Sequence, residues 1–285
     1  MRRRHVREAW LLLTPALIGV AVFFAAPFVV TVLYSFTFGV GGVRFIFLDN
    51  YIRVMANDSF QLAASNTGRF IATATPAIML ISFSLALLLM RKLPGSRPLR
   101  AVLLLPMVVP VASTVMVVRL FFAENGVFNG FLLSLGLPVE KWLDSPAAFG
   151  VLTGLYLWKN TGYCVILMLA GLNMIPQELY HAAEVEGAGE WRKLRHITLP
   201  LMVPTLFFVF VMAIIQCFGV FREAYILGGR YPHDSIFMLQ HFMNINFENM
   251  NYPRLSVSTV LVFVIIFAAT YLFFRLQSRY GQDKP

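Results

Sequence analysis

Residues Tyr180 to Pro200 read YHAAEVEGAGEWRKLRHITLP and form a charged segment between two long apolar runs. The apolar side chains of this segment recur at roughly helical intervals, which predicts short amphipathic helices. They are Ala182, Ala183, Val185, Ala188, Trp191, Leu194 and Ile197. Gly187 and Gly189 mark the place where one helix can end and the next can begin. We call residues 178–200 the elbow, and a folded elbow between two apolar runs indicates a docking surface for another protein.

The whole chain is too apolar for a soluble domain of its length. Of its 285 residues, 58% are hydrophobic and 13% are charged, and the mean hydropathy is +0.71. Six runs reach the roughly 20 residues that a helix needs to cross a bilayer. The apolar core of the first run exceeds the roughly 7–15 residues of a cleaved signal peptide, so we expect it to remain as a span. We predict one all-α, polytopic membrane domain over residues 1–285, with spans at about 10–36, 67–90, 100–123, 147–173, 198–220 and 255–276.

The net charge of +9 follows a membrane topology rather than a nucleic-acid surface. Fourteen Lys and Arg residues fall on the side of the two termini, the loop between spans two and three, and the elbow. Seven fall in the longer loops of the other side. Because cytoplasmic loops collect positive charge, both termini and the elbow are predicted to be cytoplasmic. Bases beside the spans also suit anionic headgroups, so we expect contact with membrane lipid and none with nucleic acid.

The sequence lacks the motifs of an enzyme and of a metal protein. It contains no G-x-x-x-x-G-K-[ST] phosphate-binding loop and no G-x-S-x-G nucleophile motif. Its five histidines are scattered without ligand spacing, and Cys164 and Cys217 fall within spans as small apolar fillers. We predict no catalytic residue, no metal and no cofactor in this chain. Active transport would then draw its energy from a partner or from an ion gradient.

Polar residues within the spans are the candidate solute-binding residues, because each is costly in hydrocarbon. One stripe on span four has members spaced by three or four residues, which places them on one helical face: Tyr156, Lys159, Asn160 and Tyr163. Span five carries Gln216 and, near its outer end, Arg222 and Glu223. Hydrogen bonding between helices is one interpretation of such residues. The Lys159 ammonium needs a partner or water, and amide and aromatic groups suit a hydroxylated solute, so we predict a substrate path along the stripe and Gln216.

Prolines in two spans predict bends. Pro106 and Pro110 in span three and Pro76 in span two remove backbone donors, and each should kink its helix. A static bend and a hinge in a moving bundle are both compatible with this pattern.

The elbow resembles a loop motif of bacterial ABC importer permeases, E-A-A-x-x-x-G-x(9)-I-x-L-P. Six of the seven fixed positions match at the family's spacing, and His181 stands in place of the glutamate. Further segments look like the carbohydrate-uptake branch, the maltose and glycerol-phosphate type: Leu48–Val54, Asn66-Thr67, Leu103–Pro110 and Ala170–Ala188. The loop after span five is similar to the family's glycine-rich external segment, but Leu227-Gly228-Gly229-Arg230 stands where the family has T-G-G-P.

This resemblance implies the permease subunit of a binding-protein-dependent, ATP-driven carbohydrate importer of the bacterial inner membrane. It also implies a second, homologous permease, two ATPase subunits that bind ATP and Mg, and an external binding protein that delivers a saccharide. The residues that would couple this chain to the ATPase subunits are His181, Ala182, Ala183, Glu186, Gly187, Ile197, Leu199 and Pro200.

A stand-alone secondary transporter or channel for a polar solute is the alternative, and a membrane scaffold that recruits a soluble protein is a third class. Secondary transporters often show inverted repeats and ionisable groups near the middle of the membrane. The two halves of this sequence show no convincing repeat, and no carboxylate falls within the six predicted spans. Lys159 and Arg222 are compatible with an acidic saccharide or a sugar phosphate as the solute.

Overall fold

The computed structural model describes residues 2–39, 44–91 and 96–281. Two of the predicted cytoplasmic bases, Lys92 and Lys284, lie outside these ranges. The described residues are almost entirely helical, which confirms the predicted all-α class.

The α-helices of the described residues run as follows: α1 (Arg2–Val20), α2 (Ala26–Ser35), α3 (Asp49–Met55), α4 (Asp58–Met90), α5 (Ser96–Val108), α6 (Val111–Phe122), α7 (Val127–Ser134), α8 (Ala148–Asn173), α9 (Gln177–Val185), α10 (Glu190–Lys193), α11 (Leu199–Gly219), α12 (Phe221–Gly228), α13 (Leu239–Glu248) and α14 (Tyr252–Gly281). The shorter elements are two π-helical turns, a hairpin and a 3₁₀ turn: Ala21–Ala25, Leu194–Thr198, β1 (Thr37–Phe38) paired antiparallel with β2 (Arg44–Phe45), and Asp234–Ile236. The chain divides into two compact units, Met1–Gln61 with Phe242–Tyr271 and Leu62–His241 with Leu272–Pro285.

The first unit is held together by a buried amide and by aromatic contacts. Asn50 of α3 donates to the carbonyl oxygens of Ser35 (3.1 Å) and Thr37 (2.8 Å), and so fixes α3 against the end of α2. Phe28 of α2 packs on Phe263 of α14 with ring centroids 4.5 Å apart. The Asn50 bonds satisfy backbone groups that the turn out of α2 would otherwise leave unpaired.

The second unit is built around α8, whose buried residues run along most of its length. Two glycines let neighbouring helices come close to α8. A Cβ atom on Gly162 would overlap the carbonyl oxygen of Leu103 in α5, and one on Gly171 would overlap the side chain of Thr205 in α11. Small residues at such crossings permit the close backbone approach on which helix packing in membranes depends. The sequence stripe on span four therefore lies on the central helix of this unit.

Within the ranges that the structure describes, four helical stretches are long and apolar enough to cross a membrane: Leu12–Ser35, Asp58–Met90, Val111–Ser134 and Glu190–Gly228. The bent pair of α8 and α9 makes a fifth if it counts as one span. The apolar helices Pro98–Val108 and Tyr252–Ala268 are shorter. The predicted polytopic architecture is confirmed; length and composition identify four or five spans among the described residues, and the count of six stays a prediction.

The prolines act differently in the two spans where bends are expected. The third span is interrupted, because α5 ends at Val108 and α6 begins after Pro110, which has extended backbone angles (φ −55°, ψ 139°). Proline lacks the N–H that would continue the hydrogen-bond ladder, so the helix is interrupted at Pro110, where a kink was predicted, whereas Pro106 lies within α5. In contrast, α4 runs from Asp58 to Met90 through Pro76 without interruption.

Candidate functional site

The elbow folds as two short helices joined at the predicted glycines. At its start α9 turns by 66° from α8. At its end the N–H of Ala188 donates to the carbonyl of Ala183 (2.8 Å), and the N–H of Gly187 donates to that of Glu184 (3.0 Å). Gly187 has φ +74°, the left-handed conformation that this helix-capping pattern requires and that glycine adopts without strain. Gly189 is extended and precedes α10, so the predicted break between the helices is confirmed.

Ion pairs connect the two short helices of the elbow. Lys193 of α10 donates to Glu184 of α9 at 3.0 Å and also to Glu190, and only 11% of its side chain is exposed. His181, at the position where the family has glutamate, places its Nδ1 atom 3.6 Å from the Glu184 carboxylate. The hydrogen bond and the charge of Lys193 lower the pKa of Glu184 below its ordinary value. Lys193 therefore joins the two elbow helices.

Acidification is expected to loosen the elbow. The pKa of Glu184 is lower in the folded protein than in the unfolded chain, so its stabilising contribution is full above the unfolded value of about 4.3 and is lost as the pH falls through the folded value. The protection factors of the amides across α9 and α10, which correct for the intrinsic slowing of hydrogen exchange in acid, should therefore fall below about pH 4.3. The Glu184→Gln variant should exchange faster at neutral pH and show a flatter profile, and an unchanged pH profile in that variant would contradict the role of Glu184.

Much of the surface of the two elbow helices is exposed. None of the nine residues of α9 is buried, and Val185 is 91% exposed. Trp191 of α10 is 72% exposed. Exposed apolar side chains on a charged, folded loop are typical of a surface that another protein covers.

The residues of the sequence motif fall into two groups on this elbow. Those exposed on or just after α9 are His181, Ala182, Glu186 and Gly187. Those half-buried, in α9 or at the entry to α11, are Ala183, Ile197, Leu199 and Pro200. The two halves of the motif are joined by a hydrogen bond between the hydroxyls of Tyr180 and Thr198 (2.9 Å). The motif thus forms one structure that runs from α9 directly into α11.

The polar stripe of α8 meets a carboxylate. The Lys159 ammonium donates to Oε1 of Glu223 in α12 at 2.8 Å, and both side chains are buried. The second carboxylate oxygen, Oε2 of Glu223, is buried without a hydrogen-bond partner among the described residues. Glu223 was not predicted as the partner of Lys159, although its position seven residues after Gln216 places both on one helical face. The charge of Lys159 is therefore neutralised within the chain.

The remaining stripe residues differ in exposure. Tyr156 is buried, and its hydroxyl donates to the carbonyl of Ala213 in α11 at 3.0 Å. Asn160, Tyr163 and Gln216 are half-buried. The carbonyl oxygen of the Gln216 side chain is buried and has no hydrogen-bond partner among the described residues.

Two polar residues of α4 hold the segment that follows α12. Asn66 donates to the backbone carbonyl of Phe237 (3.1 Å), and the Thr67 hydroxyl accepts from the N–H of Leu239 (2.9 Å). His241 is buried, its Nδ1 accepts from the N–H of Met238 (3.1 Å), and burial lowers its pKa to about 4. A neutral His241 at pH 7 follows. The Asn66-Thr67 pair stands out in the sequence only by its resemblance to the family, and the sequence does not predict these contacts.

Comparison with known proteins agrees with this geometry. The trehalose/maltose transport system permease protein MalF of Thermococcus litoralis is 30% identical over 289 residues, which covers 99% of this chain and 97% of that protein. The lactose transport system permease protein LacF of Rhizobium radiobacter is 28% identical to this chain over 282 residues. That alignment covers 96% of this chain and 94% of LacF.

A solved structure and a family model give the same result. The crystal structure of a bacterial ABC transporter involved in the import of the acidic polysaccharide alginate contains a chain with a TM-score of 0.84, which shares 21% identity and covers 99% of both chains. At that identity the likeness shows the fold. Residues 78–282 match the model described as the inner membrane component of binding-protein-dependent transport systems. With a match over most of its length and a relative at 30% identity over nearly all of it, the chain belongs to the family of inner membrane components of binding-protein-dependent transport systems.

Proposed function

We propose that this chain is the permease subunit of an ATP-driven carbohydrate importer and that its elbow transmits the motion of ATPase subunits. One observation carries the proposal: α9 is folded, capped and joined to the bundle, yet has no buried residue. A helix that is rigidly held but uncovered at the edge of a membrane bundle fits a docking surface. The relatives named for trehalose/maltose and lactose transport support a saccharide as the solute.

The proposed assembly contains partners that supply what this chain lacks. A second, homologous permease completes the solute path, and two ATPase subunits bind ATP and Mg. An external binding protein delivers the saccharide, as the family description implies. One of the similar solved structures is a bacterial alginate ABC transporter in complex with an alginate pentasaccharide-bound periplasmic protein, which supports that partner. We place the assembly in the bacterial inner membrane, with six spans that draw on both compact units and with both termini cytoplasmic.

The elbow is built to move as one body with two helices of the bundle. Lys193 joins α10 to α9, and the Tyr180–Thr198 bond joins α9 to the start of α11. Force applied to α9 therefore reaches α8 at one end and α11 at the other. These helices carry the stripe and Gln216, so a displacement of the elbow changes the solute path directly.

The solute path in this proposal follows the stripe in two layers. Tyr156 and Lys159 are buried and form the supporting layer, since both bond to neighbouring helices. Asn160, Tyr163 and Gln216 are half-buried and present amide and phenol groups, which suit sugar hydroxyls and ring faces.

Introducing a tryptophan at Ala182 is expected to abolish most of the coupling between ATP hydrolysis and solute uptake. Ala182 is exposed on α9, so the larger side chain should leave the fold of the subunit intact, whereas a close protein contact there would be blocked. We expect ATP-driven uptake in proteoliposomes with the binding protein to fall about tenfold or more, which corresponds to ~1.4 kcal/mol of lost docking energy.

The matched control for this experiment is Ala182→Ser, which keeps a small side chain at the same position. Uptake by the unaltered assembly should require ATP hydrolysis and should persist when an uncoupler collapses the proton gradient at constant ATP. Full uptake by the tryptophan variant, at normal yield and thermal stability, would show that the elbow does not dock at this surface. Uptake that disappears with the uncoupler would instead favour ion coupling.

The topology makes a separate prediction. Cysteines introduced at Asp144 and at Arg192, both exposed, should react oppositely with a membrane-impermeant maleimide in intact cells. The background carries Cys164→Ala and Cys217→Ala, since the two native thiols are free. We expect labelling at 144 and none at 192 until the cells are opened. Labelling at 192 from outside would reverse the orientation.

A further inference from the structure

The chain between α12 and α13 is held to α4 through its backbone. Residues 234–239, which we call the latch segment, make three hydrogen bonds with Asn66 and Thr67 of α4. Asn66 donates to the carbonyl oxygen of Phe237 at 3.1 Å and to a second carbonyl, and the Thr67 hydroxyl accepts from the N–H of Leu239 at 2.9 Å. Both side chains of α4 are buried, so little water competes for these bonds.

A fourth bond comes from His241, and this bond fixes the protonation state of the ring. Nδ1 accepts from the N–H of Met238 at 3.1 Å, so the proton of the neutral ring lies on Nε2. Nε2 is buried and has no hydrogen-bond partner among the described residues, and the residue is 1% exposed. A second proton would have to enter at Nδ1, where it would break the bond to Met238.

Aromatic rings surround the His241 side chain. The ring centroids of Phe221, Tyr225 and Phe237 lie 4.9–6.1 Å from that of His241. Two of these rings belong to α12 and one to the latch segment, so the imidazole packs where the two meet. An apolar enclosure of this kind disfavours a charged imidazole.

The charged residues of the surrounding elements do not offset this enclosure. The titratable or charged side chains on these elements are Arg69 of α4, Arg222, Glu223 and Tyr225 of α12, Arg230, His233 and Asp234 of the following loop, and Glu248 of α13. Glu223 already pairs with Lys159. Throughout the ranges that the structure describes, no carboxylate forms an ion pair with His241, and burial lowers its pKa to about 4.

We infer that His241 is an acid-sensitive latch, which holds residues 234–239 to α4 while its ring is neutral and releases them when the ring takes up a second proton. The closed state is the one described above. In the open state Met238 and Leu239 lose their acceptors and the imidazole reaches water. The proposed topology places the latch segment outside, where it would respond to the pH of the medium. The latch requires neither ATPase subunits nor a saccharide, so it goes beyond the proposed function.

The direction of the response follows from the two states. The pKa of His241 is about 4 in the closed state and returns to its ordinary value of 6.5 when the ring is open to water. A group with a lowered pKa in the closed state stabilises that state fully above the higher value, and the contribution is lost as the pH falls toward the lower one. The equilibrium constant for opening should therefore rise about twentyfold between pH 7 and pH 5. Glu184 of the elbow responds only below about pH 4.3, so the two effects occupy different pH windows.

Opening of the latch would reach the solute path through α12. A Cβ atom on Gly228, the last residue of α12, would lie 2.4 Å from the Cβ of Pro232, so this helix end packs tightly on the chain that leads into the latch segment. The same helix carries Glu223, the partner of Lys159. Release of the latch segment should therefore loosen the support of the stripe and slow uptake in acid.

Hydrogen exchange of the latch amides tests the inference. The purified assembly in detergent is exchanged at several pH values from 7 to 5, and a peptide that contains Met238 and Leu239 is followed. We expect the protection factors, which correct for the intrinsic pH dependence of exchange, to fall about twentyfold across this range. His241→Asn keeps a short side-chain acceptor that does not titrate, so its protection factors should stay constant. His241→Gln serves the same purpose if His241→Asn reduces the yield.

The matched control is His233→Asn in the same loop. His233 also accepts a backbone N–H through Nδ1, from Ser235 at 3.1 Å, but it is only half-buried. This variant should keep the pH dependence. Thr67→Val, which removes the acceptor of Leu239, should lower protection at every pH and leave the slope unchanged. A flat profile in the unaltered assembly, or a slope that vanishes with His233 and persists without His241, would overturn the inference.

Uptake in proteoliposomes provides a second test, which rests on the proposed function. The ratio of the uptake rate of the unaltered assembly to that of His241→Asn cancels the pH dependence of the binding protein. We expect this ratio to fall as the external pH is lowered from about 7 to 5. A constant ratio would overturn the connection between the latch and the solute path. A lack of uptake in every variant would count against the proposed function alone, because the exchange measurement does not depend on transport.

Discussion

Replacing Lys159 with methionine is expected to lower the free energy of unfolding by about 3–5 kcal/mol. The change removes the ammonium that donates to Glu223 at 2.8 Å, in a pair whose side chains are only 11% and 7% exposed. The carboxylate is then left buried without a cation, and its second oxygen already lacks a partner among the described residues. The measurement is unfolding of the purified assembly in detergent, followed by its uptake activity.

The matched control is the double variant Lys159→Met with Glu223→Met. Apolar replacement of a whole buried ion pair is often neutral or stabilising, so the double variant should recover most of the lost stability. Poor transport by a stable double variant would show that the pair also serves the solute path. Normal stability of the single variant would mean that water reaches the carboxylate, and the pair would then not be the buried contact that holds α8 to α12.

The elbow could be predicted from the sequence because its features are local. The helix-capping pattern around Gly187 involves residues within five positions of one another, and only glycine adopts φ +74° there without strain. The break at Pro110 is local in the same sense, since a missing N–H acts on its own turn. Pro76 does not interrupt α4, because neighbouring helices can satisfy the carbonyl that the missing N–H leaves free. A proline alone therefore does not predict a break in a membrane helix.

The partner of Lys159 could not be predicted in the same way. Helical periodicity places Gln216 and Glu223 on one face, but it does not say which helix that face meets. The predicted fifth span also ends near residue 220, whereas the helical stretch in the structure continues to Gly228 and therefore contains Glu223. A pairing across 64 residues depends on how the helices pack, which composition and spacing leave open.

Substituting Gly162 by alanine is expected to be the most damaging of the small changes in α8. Its Cβ would overlap the carbonyl oxygen of Leu103 and lie 2.5 Å from the carbonyl carbon, and these are backbone atoms that cannot rotate away. The two helices must separate, and overpacking of this kind costs about 1–3 kcal/mol or more. We expect the loss at the upper end of that range, seen as reduced membrane yield and a lower unfolding temperature.

The same substitution at Gly154 separates packing from helix propensity. Gly154 lies on the same helix with open space at its Cβ position, and alanine is favoured over glycine within a helix by about 1 kcal/mol. Gly154→Ala should therefore be neutral or stabilising, while Gly162→Ala destabilises. If both variants unfold alike, the close approach of α5 and α8 is not a feature of the folded protein. The packing that supports the Lys159 layer of the solute path would then need another arrangement, because Gly162 lies one turn beyond Lys159 on α8.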